Sequence, residues 1–380
     1  MGCWPSLHAM RHWPDCCRWH VRYGESPKKP RNEQRARRRS MTESPTNPAS
    51  RNDHEVSDPA VLIKNPVVSV LMLAYNHGPY LAQAIEGVLA QQSDMPIELL
   101  IGEDCSPDNT REIALRYQRE NPQTIRVFIA EQNLGSSLNH RRILLAARGE
   151  FHAYLDGDDY WLPGKLARQI GYLRENPSCT AVYTNALTVD QDGNTIGLFN
   201  DVGNGQFNLG ALMRRGNFLN NSSIAYRATS RNALLGIEGP AIDYRVHLLL
   251  ARTGFLAQLQ EPLTIYRIGS IGSMVAHGNN RVRQLYWEAI MSVPRELVTD
   301  RDFAQGVADF LRRVIFRVVR TRQAALLREW APRAFAVSPH GVIHTSFLVA
   351  GSVARMAFKE LIGRVRKDGH GHLVRVLYRR

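Results

Sequence analysis

The chain has 380 residues, of which 44% are hydrophobic and 22% charged, and its formal net charge at pH 7 is +13. That length and apolar content suffice for a sizeable core, which excludes a chain disordered throughout. Five cysteines without paired CxxC spacing exclude a disulfide scaffold and a zinc ribbon, and they point to a reducing compartment.

Residues 1–60 are rich in Pro, Ser, Asn and Arg and show neither helical nor strand periodicity, so a disordered basic segment is expected there. The first residues carry Arg11, Asp15 and Arg18 where a signal peptide needs an apolar run, and Met41 would serve as a start as well as Met1. The best late apolar stretch, Val342 to Phe358, is short for a bilayer and contains His344 and Arg355. A cytoplasmic location is therefore expected.

Regular structure is expected from Pro66 onward. Val67 to Leu73 reads as a buried strand that Asn76, Gly78 and Pro79 terminate. Leu81, Ala84, Ile85, Val88 and Leu89 then recur at helical spacing. Ile97 to Gly102 forms a second strand ending on Glu103 and Asp104, and the turn Ser106-Pro107-Asp108-Asn109 leads into a second helix. A third strand (Ile125 to Ala130), a third helix (Ser137 to Ala147) and a fourth strand (Phe151 to Leu155) follow. This alternation predicts an α/β fold with a mostly parallel sheet flanked by helices. Ligands of such sheets bind beyond the carboxyl ends of the strands. That rule selects Tyr75, Asn76, Glu103, Asp104, Asp156, Asp158 and Asp159.

Asp156-Gly157-Asp158-Asp159 places three carboxylates within four residues, and a divalent cation relieves their repulsion most simply. Mg²⁺ or Mn²⁺ held by one or two carboxylates and by phosphate oxygens suits the pattern. Gly157 is expected to let the backbone turn so that Asp156 and Asp158 address one site. The same four residues also read as a solvated acidic turn capping the helix after Pro163. That alternative accounts for one aspartate and leaves Asp104 on the neighbouring strand unexplained. Asp104 can accept hydrogen bonds from a ribose hydroxyl or a base imide, and Tyr75 can stack on a base. Ala74-Tyr75-Asn76-His77-Gly78 is neither a dinucleotide fingerprint nor a P-loop, which argues against a nicotinamide dehydrogenase and a P-loop kinase.

Four segments in this order resemble the family-2 glycosyltransferases of GT-A fold: Ser69 to Asn76, Gly102 to Thr110, Asn133-Leu134-Gly135 and Asp156 to Trp161. The resemblance implies an inverting transferase acting on a nucleotide-diphosphate sugar, often a UDP-sugar, with Mg²⁺ or Mn²⁺. It implies Tyr75 and Asp104 at the nucleoside, Asp156 near ribose and metal, and Asp158 on the metal. The family's Ala-Arg-Asn run is replaced by Ser136 to Arg141, so Asn139 is assigned the polar role there.

In the second half, Asp190 to Asn194 is a hairpin turn, and Ser222 and Ser223 are candidates for the acceptor pocket. An inverting transfer needs a base for the acceptor hydroxyl, and Asp243 stands where the family places one, a position where aspartate also serves as a helix N-cap. The family's Tyr-Arg-x-His appears as Tyr266-Arg267-Ile268-Gly269, with His277 poorly placed to substitute. From about residue 300 a helix carries Val307, Phe310, Leu311, Val314, Ile315 and Val318 as one stripe, with Arg312, Arg313, Arg317 and Arg320 around it. Those arginines fit either docking on anionic membrane or a helix packed on the catalytic domain.

The expected organisation is a disordered segment 1–60, a catalytic domain 61–290 with nucleotide half 66–178 and acceptor half 179–290, and a basic helical region 291–380. The expected activity is sugar transfer to a glycan or lipid-linked acceptor in cell-surface polysaccharide biosynthesis, with no nucleic-acid partner. A nucleotidyltransferase or sugar-nucleotide pyrophosphorylase is the alternative, against which stands the lack of a Gly-rich basic loop after the first strand.

Overall fold

The computed structural model describes residues 54–91, 95–270, 280–363 and 375–378. The segment 1–53 and His277 lie outside the described residues.

The chain opens with β1 (His54–Val56), β2 (Val68–Ala74), α1 (Gly78–Leu89), β3 (Ile97–Glu103), α2 (Thr110–Glu120), β4 (Ile125–Ile129), α3 (Ser136–Ala146) and β5 (Phe151–Asp156). Strands β4, β3, β2 and β5 pair in parallel in that order, as the strand and helix alternation requires. Their side chains alternate between faces: Val70 and Met72 meet α1, α2 and α4 (Lys165–Glu175), and Leu71 and Leu73 meet a second core. Both faces of the central strands are thus buried, and their sequences read as continuous apolar runs.

One expectation fails at the start. Residues 54–56 lie inside the stretch expected to be disordered, yet they form β1, antiparallel to β4. A three-residue edge strand leaves almost no periodicity to read. It is held by a charge that pattern reading does not weigh, Glu55, which pairs with Arg126 at 2.7 Å.

The second half continues the sheet with β6 (Tyr160–Trp161), β7 (Cys179–Val189), β8 (Thr195–Asn200), β9 (Gly205–Phe207), β10 (Ala225–Arg227) and β11 (Phe255–Arg267). β10 runs antiparallel between β5 and β7, and β11 is parallel to β7. The expected hairpin turn at Asp190 joins the antiparallel pair β7 and β8. Helices α5 (Leu209–Arg215), α6 (Arg231–Leu235), α7 (Asp243–Leu250) and α8 (Asn280–Met291) cover the second face, together with α9 (Asp300–Thr321), α10 (Ala325–Val337) and α11 (Gly341–Gly363). A last strand, β12 (Arg375–Tyr378), pairs with β8.

The stripe on α9 is buried at Val307, Phe310, Leu311 and Val314. Two of the arginines assigned to a lipid face point inward. Arg312 is 6% exposed and pairs with Asp309, and Arg313 pairs with Asp309 at 2.9 Å. α9 is therefore a packed helix. The apolar stretch at Val342 lies in α11, whose 23 residues are longer than the sequence pattern suggests. By length and composition, its segment Gly341–Phe358 reaches what crossing a bilayer needs, and 17% of it is buried.

Candidate active site

The carboxyl ends of β2, β3 and β5 open onto a cavity of about 660 Å³, closed on the other side by the loop before β10 and by α7 and α8. The strand-end rule thus brings Tyr75, Asp104, Asp156, Asp158 and Asp159 to one wall. Tyr75, in that lining, is 40% exposed.

Asp156 ends β5. Its Oδ1 accepts the Tyr154 hydroxyl at 2.6 Å, and its Oδ2 accepts Ser222 Oγ at 3.3 Å. Burial, and then the charge of Asp158, push its carboxyl up to about 7. Asp159 is 2% exposed; Oδ1 accepts the Arg267 backbone N–H at 2.8 Å and Oδ2 has no partner. Burial, followed by the charges of Asp158 and Asp156, holds it well above the usual carboxylate range. Asp158 gives Arg267 Nε only its backbone carbonyl, at 3.1 Å, and no protein hydrogen bond reaches its carboxylate among the described residues. The helix-capping alternative fails, since the N-cap position of α4 is Gly164 with no side-chain cap.

Gly157 is needed for a reason other than the one expected. Its φ is not positive; a Cβ there would sit 2.9 Å from the Leu73 carbonyl and 2.8 Å from His77 Nδ1. The glycine lets the acidic turn lie directly on the end of β2.

No three His, Cys, Asp or Glu side chains among the described residues cluster tightly enough to cage a metal by themselves. The available donors are Asp158, with an uncommitted carboxylate, and Asp156. Two hard oxygen donors fit a Mg²⁺ or Mn²⁺ ion that takes its remaining ligands from a diphosphate and water.

Asp104 is 2% exposed, and its oxygens accept the backbone N–H groups of Leu134 (2.8 Å) and Gly135 (2.9 Å). It therefore holds the Asn133-Leu134-Gly135 loop against β3, although it still lines the cavity. Burial raises its carboxyl, while the two N–H bonds oppose that shift.

Two expected contacts, Asn76 and Ser223, do not line the cavity, and a third, Asn139, lines it with its amide already bonded to the protein. Asn76 is absent from the lining and serves the turn instead, with φ at 58° and its N–H bonded to Ser106 Oγ. Asn139 is 2% exposed; its Nδ2 donates to the Gly102 carbonyl at 2.8 Å and its Oδ1 accepts from Arg142, so its amide fastens α3 to β3. Ser223 is fully buried and donates to the Asn220 carbonyl. Polar side chains one residue apart in sequence face opposite ways, which composition cannot show. Ser222 does line the cavity, where it props Asp156.

Opposite the aspartates stands Asp243. It is the first residue of α7, one position past the N-cap residue Ile242, and its carboxylate serves a first-turn N–H of that helix. Its Oδ1 accepts the Tyr244 N–H at 2.8 Å and Asn217 Nδ2 at 2.9 Å. Its Oδ2 makes no hydrogen bond among the described residues. It is close enough for its charge to contribute to the raised value of Asp156.

Other residues at this site were given no role in it by the sequence reading. Arg267 ties the ends of the sheet together, donating to the carbonyls of Asp158, Asp190 and Gln191 and lying 4.3 Å over the Tyr80 ring. Gly269, standing where a histidine was expected, has φ at 79°, a conformation glycine adopts without strain. Asn220 lines the cavity at 2% exposure, with an amide oxygen that has no partner. Asn217, Tyr286 and Arg313 also line it. No spacing rule links residues so far apart in sequence.

Comparisons with known proteins bear on the family and the fold. The Glycosyl transferase family 2 profile matches residues 69–228. An uncharacterized protein of Mycobacterium tuberculosis (strain H37Rv) is 31% identical over 223 residues, 58% of this chain and 64% of that protein, so the chain matches less than two thirds of that relative's length. TuaG of Bacillus subtilis (strain 168), named for teichuronic acid biosynthesis, is 34% identical over 134 residues, 35% of this chain and 52% of TuaG. Among solved structures, residues 1–349 of S. aureus TarS in complex with UDP-GlcNAc align with a TM-score of 0.52 at 20% identity, covering 70% of this chain and 79% of that one. That likeness is one of fold.

Proposed function

We propose, from the premise that the chain belongs to glycosyltransferase family 2 and has the GT-A fold, that it is a metal-dependent inverting transferase. It moves a sugar from a nucleotide diphosphate, with UDP the best-supported carrier, to a hydroxyl of a glycan or lipid-linked acceptor in polysaccharide biosynthesis. The observation that carries this reading is the pair of facing walls. Asp156, Asp158 and Asp159 sit at the strand ends without a protein cation, and Asp243 faces them with one oxygen free.

In the reaction, Asp243 Oδ2 takes the proton of the acceptor hydroxyl as the hydroxyl oxygen attacks the sugar carbon from the face opposite the diphosphate. The carbon–oxygen bond to phosphate breaks, and its electron pair leaves with the nucleotide. Asp158, with Asp156, would hold a Mg²⁺ or Mn²⁺ ion, which supplies positive charge to the leaving diphosphate. Tyr75 offers its ring to the base, and Ser222 keeps Asp156 aimed.

A thermal-shift screen of nucleotide sugars with and without Mn²⁺ tests the reading, since a bound ligand raises apparent stability. A UDP-sugar should raise the melting temperature only with the metal. A response to nucleoside triphosphates alone would favour a nucleotidyltransferase.

The enzyme works on the cytoplasmic side, and a lipid-linked acceptor brings it to the membrane surface. Support for that contact rests on α11, where Ile343 is 76% and Phe347 72% exposed, rather than on α9. Ile343→Asp with Phe347→Asp should lower binding to anionic vesicles, and unchanged sedimentation would remove this surface.

A further inference from the structure

Asp243 does not hold its own position. The hydrogen bond that fixes Oδ1 from outside its helix comes from Asn217 Nδ2 at 2.9 Å, and the two residues are 26 apart in sequence. Asn217 is in turn tied down through its backbone. Its N–H donates to the Tyr286 hydroxyl of α8 at 3.0 Å, and its carbonyl accepts Arg313 Nη2 of α9 at 3.4 Å. Arg313 is fixed by Asp309, one turn earlier on α9, and its guanidinium lies 4.8 Å over the Tyr286 ring. Tyr286 stacks on Tyr244, the neighbour of Asp243, with centroids 4.7 Å apart at 25°.

The preceding residue shows how little room this arrangement leaves. Gly216 has φ at 69°, and a Cβ there would meet Asp309 Oδ2 at 2.4 Å, Tyr286 Oη at 2.5 Å and Arg313 Nη2 at 2.9 Å. The segment carrying Asn217 is therefore pressed against α8 and α9, both of which lie beyond residue 228, where the family match ends.

We infer that Asn217 is a positioning residue for Asp243, and that α8 and α9 reach the acceptor side of the site through it. The inference rests on the reading of Asp243 as the base. Holding Oδ1 by two N–H groups leaves Oδ2 as the proton acceptor and sets its direction. Without the Asn217 bond the carboxylate can rotate about its side chain, and a displacement of about 1 Å at a reacting atom can cost on the order of 100-fold in rate. The C-terminal helical region thereby becomes part of the catalytic apparatus.

The test is a double-mutant cycle on the full chain, using the nucleotide sugar that gives the largest thermal shift with Mn²⁺ and following release of nucleoside diphosphate into water. Asn217→Ala should lower kcat roughly 10- to 100-fold, with nucleotide affinity and melting temperature near wild type. In the Asp243→Asn background the same change should cost almost nothing further, because an oriented base is no longer there to lose. Tyr286→Phe, which removes the hydroxyl that accepts the Asn217 N–H and that also meets Arg313 and Tyr244, should give a smaller loss, the part acting through Asn217 disappearing in Asn217→Ala. Losses that multiply, or an Asn217→Ala enzyme at wild-type rate beside a slow Asp243→Asn enzyme, would overturn the inference. An Asp243→Asn enzyme at wild-type rate would overturn the base reading itself.

Discussion

The parallel strands bury carboxylates at both ends, and the two ends treat them in opposite ways. At the amino ends, Glu98 is fully buried and accepts Ser69 Oγ at 2.6 Å, Arg126 Nη1 at 3.1 Å and Arg148 Nε at 2.9 Å. At the carboxyl ends, Asp156, Asp158 and Asp159 have no ion pair among the described residues, and one oxygen of Asp159 has no partner at all. A buried charge left unpaired costs stability unless something else neutralises it. One sheet therefore shows both solutions: carboxylates satisfied by arginine hold it together, and carboxylates left without cations are available to a ligand.

Removing one of the unpaired charges breaks the comparison most directly. Asp158→Ala should abolish Mn²⁺-dependent UDP binding, a loss of at least about 100-fold, because a methyl group cannot coordinate the ion. The metal-free melting temperature should hold or rise, since the repulsion between Asp158 and Asp156 disappears. Titration calorimetry and a melt on the same protein give both numbers, and unchanged affinity would end the metal assignment.

Across the cavity, Asp243→Asn should slow transfer by roughly 10²- to 10⁴-fold, the usual share of a general base, with UDP affinity unchanged. The amide oxygen can still accept from Tyr244 and Asn217, so stability should move little. Turnover measured beside a melt separates loss of chemistry from loss of fold. A rate equal to wild type would move the base elsewhere.

The amino-end network predicts the reverse pattern. Glu98→Gln keeps the size but withdraws the charge facing Arg126, itself 9% exposed, and should cost about 3 kcal/mol. Nucleotide affinity should stay within about twofold. Denaturant unfolding followed by calorimetry checks this, and a large loss of affinity would mean that the two ends are coupled.

The difference between the ends also governs what could be read from sequence. Tyr75, Asp104, Asp156 and Asp158 were legible because consecutive strands deliver their terminal residues to one edge, and the sequence marks where each strand stops. The parallel order β4, β3, β2, β5 followed from the same alternation. Ser223 misled, and Asn139 reaches the cavity with its amide already committed, because a polar side chain inside an element can serve the backbone as readily as a ligand, and only packing decides. Asn217, Tyr286 and Arg313 carried no local signal, since their meeting depends on where α8 and α9 dock. Glu55 was hidden for a similar reason: its partner is 71 residues away, and a three-residue strand has no period.

That last residue offers the smallest effect and a check on the paired side of the comparison. A chain lacking residues 1–53 keeps β1, whereas one lacking 1–57 loses it along with the two bonds from Glu55 to Arg126 at 2.7 and 3.0 Å. The second truncation should be less stable than the first by about 1 kcal/mol, because Glu55 is partly exposed and Arg126 keeps Glu98. The pH dependence identifies what carries the gap. Burial pushes the Glu55 carboxyl up, but the Arg126 hydrogen bonds and charge, with Ser57, outweigh it and leave the group below its ordinary 4.5. A carboxyl depressed in the folded state contributes stability that is whole above 4.5 and is lost as pH falls through the folded value. Denaturant midpoints of the two truncations should therefore differ by a constant amount from pH 8 to about 5 and converge below 4.5. If the gap is undiminished at pH 3.5, the backbone pairing of β1 with β4 carries the stability, and the ion pair only marks where the strand lies.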